Sequence, residues 1–405
     1  MVSVCALISN QNMYPTITDL INDLFGFYFP LPVQTFGFFM AVSFALAYWA
    51  TASELKRKTA LGLLNPITKK VIENKQVTVF DYASSMLVGA LVGFKFFEIL
   101  FDYDALVQNP QAFILSAKGS WFGFFAGAGY SYYTTYQDAK KVKDKTQREV
   151  LQTIQPSDLM WNITAIAGIS GILGAKIFHN LEYLDDLMRD PIGSLLSFSG
   201  LTFYGGLIVA TIAVLYYTNK HKIPTKHMID AAAPALMLAY AMGRVGCQLS
   251  GDGDWGIVNL APKPEWMSFL PDWMWSYNYP HNVIDEGVQI AGCNGPHCYQ
   301  LPQGVFPTPF YEVVMSTLLF VGLWLIRKRV TIPGMLFCIY LVVNGIERFT
   351  IEKIRVNSTY TIFGHHITQA ELISSLMIIA GIIGISILAK SNTHANNHQP
   401  NTKTN

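Results

Sequence analysis

Nine apolar segments punctuate the chain, each long enough, or nearly so, to cross about 30 Å of hydrocarbon as a helix. They lie near 33–52, 83–101, 120–136, 158–181, 200–217, 229–248, 309–327, 334–351 and 367–389. The third is the weakest, being short and rich in Tyr and Thr at its end. The pattern predicts an all-α polytopic membrane protein of about nine transmembrane helices.

The connections alternate in basic charge. Residues 53–82 hold six Lys/Arg, 137–157 five, 218–228 three and 327–333 three. The opposite set is poor: 1–32 has none, and 102–119, 182–199 and 249–308 have one each. The positive-inside rule then predicts an N-terminus outside and a cytoplasmic C-terminus. Lys353 and Arg355, within 352–366 on the outer side, are a mild exception, whereas Lys390 just after the last span agrees. Composition supports a membrane protein: 51% of the 405 residues are hydrophobic and 14% charged, against roughly 25% charged in soluble domains. A net charge of +1 argues against a polyanionic partner, so no nucleic acid is expected.

An internal repeat runs at a fixed offset of 81, pairing 84–131 with 165–212. Gly93, Lys95, Phe97, Leu100, Asp104, Leu106, Pro110, Leu115, Ser116, Gly119 and Phe122 match Gly174, Lys176, Phe178, Leu181, Asp185, Leu187, Pro191, Leu196, Ser197, Gly200 and Phe203. Shared membrane composition does not explain identical polar and proline positions. Each copy reads as helix, outer loop, helix, both in the same orientation because the basic stretch 137–157 separates them. Residues 1–390 are expected to form one membrane-embedded domain. Its 249–308 loop, with Trp255, Trp266, Trp273 and Trp275, is expected to form an external head at the bilayer interface. Cys293 and Cys298 lie close together there, in a position to form a disulfide if the head faces an oxidising compartment. The Asn/His/Thr-rich stretch 391–405 is expected to be a disordered cytoplasmic tail. Residues 1–32 lack the basic start of a secretory signal.

Charges inside apolar segments are the main chemical signal. Arg244, in Gly243-Arg244-Val245-Gly246-Cys247-Gln248, follows a stretch (229–242) whose only charge is Asp230. An arginine at the centre of a spanning helix costs about 2.5–3.5 kcal/mol on insertion scales, less near the ends. A second set, Asn344, Arg348, Glu352 and Arg355, falls on one helix face by its spacing of four, four and three. It reads either as functional or as an internal ion pair, Arg348 with Glu352. Arg244 and Arg348 together would clamp a phosphate at the outer leaflet. Glu312, in Phe306-Pro307-Thr308-Pro309-Phe310-Tyr311-Glu312, enters the membrane and needs a partner. Phe203-Tyr204-Gly205-Gly206 serves either close helix packing or a substrate pocket. Asp252 and Asp254 resemble a calcium loop only superficially, and His365-His366 reads as a surface pair; no metal site is expected.

Taken together, these residues resemble the prolipoprotein diacylglyceryl transferase family of bacterial inner-membrane enzymes. The resemblance rests on Asp230 and Pro234 leading into Gly243-Arg244-Val245-Gly246, then Trp255-Gly256. It includes Pro307, Tyr311 and Glu312, then Arg348, Glu352 and Arg355, and Phe203-Tyr204-Gly205-Gly206 at the start of a span. Pro32, Phe36 and Gly37 fit the family's first helix. The likeness covers about 14–52 and 158–390. It departs from the family pattern at Cys247, where asparagine is usual, and in the Asp252–Asp254 loop, which is one residue longer. Tyr204 and Phe306 stand where histidine is frequent, and Phe36 where tyrosine is. The family has seven spans; a duplicated two-helix unit gives nine and preserves the orientation of the helices after it. Tyr204-Gly205-Gly206 in the second copy keeps the family's features, whereas Gly123-Phe124-Phe125 in the first is expected to be scaffold.

The resemblance implies transfer of the diacylglyceryl group of phosphatidylglycerol to the lipobox cysteine thiol of prolipoproteins, without a cofactor. Arg244, Arg348, Tyr204 and Glu352 are the expected catalytic set. Gly205, Gly243, Gly246, Gln248, Asp252, Asp254, Trp255, Gly256, Tyr311, Glu312, Asn344 and Arg355 are the expected substrate-binding set. Tyr204 is expected to position substrate or relay a proton, with Glu352 and the Asp252/Asp254 pair as alternative proton acceptors. A non-catalytic lipid- or lipoprotein-binding relative and a transporter are the competing readings.

Overall fold

The computed structural model describes residues 13–31, 33–108, 113–114, 116–143, 145–196, 202–357, 359–362 and 365–397. Pro32, Pro110, Leu115, Ser197, Gly200 and residues 398–405 lie outside them. The helices are α1 (Ile17–Phe25), α2 (Thr35–Ala60), α3 (Val79–Phe101), α4 (Tyr103–Gln108), α5 (Trp121–Val142), α6 (Met160–Glu182) and α7 (Leu184–Arg189). They continue as α8 (Pro191–Leu196), α9 (Phe203–Lys220), α10 (Thr225–Ser250), α11 (Thr308–Ile326), α12 (Met335–Glu352) and α13 (Gln369–Asn397). Each of the nine apolar segments coincides with one of the long helices.

Among the described residues, five helices are long and apolar enough to cross a membrane: Thr35–Ala60, Val79–Phe101, Pro156–Glu182, Thr308–Ile326 and Gln369–Thr393. The protein is therefore a multi-pass helical membrane protein. The other four long helices carry more polar residues: Tyr and Thr in α5 and at the end of α9, Asp230 and Arg244 in α10, and Glu347, Arg348 and Glu352 in α12. Helix α13 runs to Asn397, so residues 391–397 continue the last helix instead of beginning the expected disordered tail. The run Ser391-Asn392-Thr393-His394-Ala395-Asn396-Asn397 contains neither Pro nor Gly to end a helix already nucleated upstream.

Long helices pair as neighbours: α3 with α5, α6 with α9, α2 and α11 with α10, and α12 with α13. The duplicated units are the first two pairs. A Cβ on Gly93 would lie 2.2 Å from Gly123 O, and one on Gly174 would lie 2.6 Å from Gly205 O. Both hairpins therefore cross backbone to backbone, as small residues permit in lipid. Their register departs from the ungapped repeat. Ser120 N donates to Phe94 O (3.0 Å) in one copy, and Thr202 N to Ala175 O (3.1 Å) in the other. Phe94 and Ala175 are 81 apart, but Ser120 and Thr202 are 82 apart, so the second copy gains a residue in its loop. Gly123 is thus equivalent to Gly205, and Phe122 to Tyr204. The first copy therefore has its packing glycine at Gly123, where the ungapped match pairs Gly123 with Tyr204.

Strand β1 (Ile67–Glu73) pairs antiparallel with β2 (Arg148–Ile154), joining the two most basic connections. At the same end Glu54, 1% exposed, receives Arg57 Nε (2.8 Å) and Arg327 Nε (3.1 Å). This brace fixes α2 to the end of α11. Asp230 accepts from Gly334 N (2.8 Å) and Phe337 N (3.0 Å), capping α12 from the neighbouring α10. Lys58 lies 3.7 Å from the same carboxylate.

The head (249–308) closes over the opposite ends of α10 and α11. It has its own small core of Met13, Trp255, Tyr277, Tyr279, Leu301 and Val305. A short ladder of β3 (Val288–Gln289) and β4 (Tyr299–Gln300) lies beside the Cys293–Cys298 disulfide. A third hairpin, β5 (Thr359–Ile362) and β6 (His365–Thr368), precedes α13 and contains the His365-His366 pair.

Candidate active site

The site is built where three helix ends meet the head. Helix α10 stops at Gly251, which takes φ 63 and closes a backbone bond to Cys247 O. Gly253 at φ 94 turns the chain again. Two left-handed residues in quick succession suit glycine, and they return Asp254 against Arg244, ten positions earlier. Thr308 Oγ1 then holds Asp254 O at 2.7 Å. Gly256 bridges Arg355 in the backbone, and a Cβ there would lie 2.4 Å from Ile354 O. Only glycine lets the head approach the end of α12 this closely.

Three guanidiniums converge on this point. Asp254 bonds Arg244 through one oxygen and Arg355 through the other. Glu312, with its side chain 0% exposed, lies 3.2 Å from Arg244 Nε and 3.1 Å from Arg348 Nη1. Tyr240 donates its hydroxyl to Glu312 at 2.6 Å, and its ring lies 5.2 Å from the Arg244 guanidinium. Arg348 also reaches Glu352 at 3.0 Å, and Asn357 donates to that carboxylate at 2.6 Å. Glu312 thus has the partner its position demands. The Arg348–Glu352 pair exists, but as part of a network spanning α10, α11, α12 and the head.

Arg355 is more than a face residue. Its side chain is 10% exposed, yet among the described residues Nε and Nη1 have no hydrogen-bond acceptor. Glu312 Oε1 stands 3.6 Å from Nη1, beyond hydrogen-bonding distance. Burial raises the Asp254 carboxyl, but Arg244 and Arg355 outweigh it and hold the group below its ordinary value. Asp252 is displaced the other way, upward, by burial and by the charge of Asp254. Among the described residues Asp252 makes no ion pair, and its carboxylate accepts from Asp254 N at 3.4 Å.

The remaining expected residues divide. Tyr204, on the first turn of α9, is in electrostatic reach of Arg348, Glu352 and Arg355. Gly205 packs against Gly174 and Phe178, and Gly246 against Phe36 and Phe39 of α2, so both serve helix packing. Among the described residues, no atom beyond its own helix backbone and chain neighbours lies within 4 Å of where a Cβ on Gly243 would stand. Gln248 accepts from the buried Tyr279 hydroxyl (2.9 Å), and Tyr311 donates to Met274 O (2.9 Å); both tie helices to the head. Trp255 packs at a tilt against Tyr279 in the head core. Asn344 donates to Tyr340 on its own helix (3.1 Å).

Two residues went unremarked in the sequence. Tyr240 is legible in retrospect as an aromatic one turn before Arg244. Glu347 is 4% exposed, with no hydrogen-bond partner on either oxygen among the described residues, and its position beside Arg348 gives no periodic signal. As for metal, Cys247, Asp252 and Asp254 offer ligand atoms within 4.8 Å of one another. Two guanidiniums already sit on Asp254, so a cation there meets repulsion, and the set lacks the six to eight oxygens calcium takes.

A family model described as prolipoprotein diacylglyceryl transferase matches residues 112–387, more than half of the chain. The range takes in α5 of the first copy but leaves out 14–52. Named relatives are phosphatidylglycerol–prolipoprotein diacylglyceryl transferases. That of Dehalococcoides mccartyi is 26% identical over 227 residues, 56% of this chain and 75% of the relative. That of Oceanobacillus iheyensis is 27% identical over 230 residues, covering 56% and 72%. That of Corynebacterium efficiens is 28% identical over 239 residues, covering 58% and 69%. The matched range contains every element that delivers an arginine, carboxylate or tyrosine to the site, and the chain belongs to the prolipoprotein diacylglyceryl transferase family.

Proposed function

We propose that this protein transfers the diacylglyceryl group of phosphatidylglycerol to the cysteine thiol that follows a prolipoprotein signal sequence. The observation that carries this reading is the convergence on one buried point of Arg244 from α10 with Arg348 and Arg355 from α12 and its C-terminal end. The thiol sulfur bonds to the glyceryl carbon, the carbon–oxygen bond to phosphate breaks, and glycerol phosphate leaves with the electron pair. Negative charge grows on the departing phosphate, where fixed guanidiniums in a dry site stabilise it. Tyr204, beside Arg348, orients the substrates.

The thiol proton needs an acceptor, because a free thiol is mostly protonated at neutral pH. Glu312, Asp254 and Glu352 are occupied by arginines. Asp252 has no such partner, and its raised carboxyl is better matched to neutral pH as a base. Asp252 is therefore the proposed proton acceptor.

The proposed setting is the bacterial inner membrane, with all nine long helices spanning it, the N-terminus outside and the site toward the outer leaflet. The basic connections on one side and the disulfide in the head on the other support this orientation. The test is purified protein with phosphatidylglycerol and a lipobox peptide. Thioether product is expected from the wild type and little from Arg244→Ala. Lipid binding without product from the wild type would instead establish a non-catalytic relative.

A further inference from the structure

In the arrangement around Arg244 and Arg355, the part best suited to an anionic ligand is already taken. The Asp254 carboxylate spans the two guanidiniums with one oxygen on each, as two oxygens of a phosphodiester would. Three arginines there face three carboxylates: Asp254, Glu312 and Glu352. Asp252 lies beside Asp254 and Glu347 beside Arg348, so the cluster has no spare positive charge: adding a phosphodiester leaves an uncompensated buried negative charge, whereas exchanging it for one carboxylate does not. Asp254 is the carboxylate free to leave. Its side chain is 31% exposed, against 0% for both Glu312 and Glu352.

A second observation points to a ligand. Arg355 is nine-tenths buried, and among the described residues its Nε and Nη1 have no hydrogen-bond acceptor. Buried guanidinium donors are rarely left so, because each unmet donor costs its full desolvation penalty. A tetrahedral phosphate offers more acceptor oxygens than a planar carboxylate and could satisfy them. The backbone beside Asp254 is fixed by Thr308 Oγ1 and by Gly256 N donating to Phe306 O at 2.8 Å. The exchange therefore needs only rotation of the Asp254 side chain toward solvent.

We propose that Asp254 is a built-in competitor: its carboxylate holds the phosphate seat between Arg244 and Arg355 in the ligand-free protein, and the lipid phosphodiester displaces it. This deepens the reading of the site as one for phosphatidylglycerol and rests on it for the identity of the ligand. The seat sets apparent lipid affinity, because only the fraction with Asp254 turned away can bind.

The test uses the full chain in detergent, with short-chain phosphatidylglycerol as the binding probe and inorganic phosphate in a thermal-unfolding assay. Asp254→Asn is expected to bind the lipid about tenfold more tightly than the wild type. It should also gain a phosphate-dependent rise in melting temperature that the wild type lacks. Asp254→Ala should respond to formate as well as phosphate, and adding Arg355→Gln to either variant should abolish the response. Unchanged or weaker binding by Asp254→Asn overturns the proposal, as does a phosphate response that survives Arg355→Gln. Variants that fold only when phosphate or formate is present support it; failure to fold even then counts against it. The phosphate arm does not depend on turnover. An anion response without thioether formation would therefore leave the seat standing and remove the transferase reading.

Discussion

Glu312 is the residue on which the site's electrostatics depend. It faces Arg244 and Arg348 within 3.2 Å and receives the Tyr240 hydroxyl. Removing one partner of a buried ion pair typically costs 3–5 kcal/mol. Glu312→Gln should therefore destabilise the protein by about 3 kcal/mol or more, readable as a loss of detergent-solubilised melting temperature. An unchanged melting temperature would mean that the arginines find other partners. Asp252 carries a different expectation. With its carboxyl raised, the ionised base is lost as pH falls through that raised value. The acid limb of the rate profile should then lie above the ordinary carboxylate range, and Asp252→Asn should remove it while slowing turnover about 100-fold or more. A limb that persists in Asp252→Asn assigns it to another group. For Asp254 the sign reverses: its carboxyl is held low, so the stability it adds is present above the ordinary aspartate value and lost below it. The charges that form the site were legible because each was anomalous in an apolar run. Their pairing was not, since Asp254 meets Arg355 across 101 positions and through a backbone bridge at Gly256. Tyr204 and Arg348 likewise come into electrostatic reach only through packing.

At the scale of elements, apolar period and length located the nine long helices, because a spanning segment must satisfy its own backbone and so has few alternatives. What escaped was short and conditional on contact: β1, β2 and the β5–β6 hairpin arise in polar connections where pairing depends on a distant partner. The repeat was visible as identities, but the extra residue in the second loop was not, since an ungapped comparison rewards Gly119 and Phe122 wherever they fall. The corrected register makes a prediction. Gly123 and Gly205 face backbone at the same crossing, so Gly123→Leu and Gly205→Leu should each force their own hairpin apart. Expression and melting temperature should fall in both, but lipid binding is expected to suffer further only in Gly205→Leu, which is next to Tyr204. Equal loss of binding would place the first hairpin at the site as well.

For the whole molecule, charge asymmetry and the oxidised cysteine pair point to the same sidedness, and single-cysteine labelling tests it. Thr146→Cys, in the basic connection before β2, should be protected from an impermeant maleimide in intact cells, and Leu260→Cys in the head should react. Labelling of both or neither would contradict the orientation.

The pairing of β1 with β2 has a further consequence. Its register ends with Glu73 opposite Arg148, so everything from 74 to 147 lies between the tips of two adjacent antiparallel strands. In that sense the α3–α5 unit is a long insertion in the turn of a hairpin. Among the described residues these two helices pack chiefly on one another. The insertion is tethered elsewhere by the Tyr103 hydroxyl on Pro30 O. Replacing 74–147 with Asn-Gly, a pair suited to a two-residue hairpin turn, removes α3 and α5 together, so on the proposed topology every later helix keeps its direction. The shortened chain should insert, fold and keep its activity, with seven of the long helices remaining.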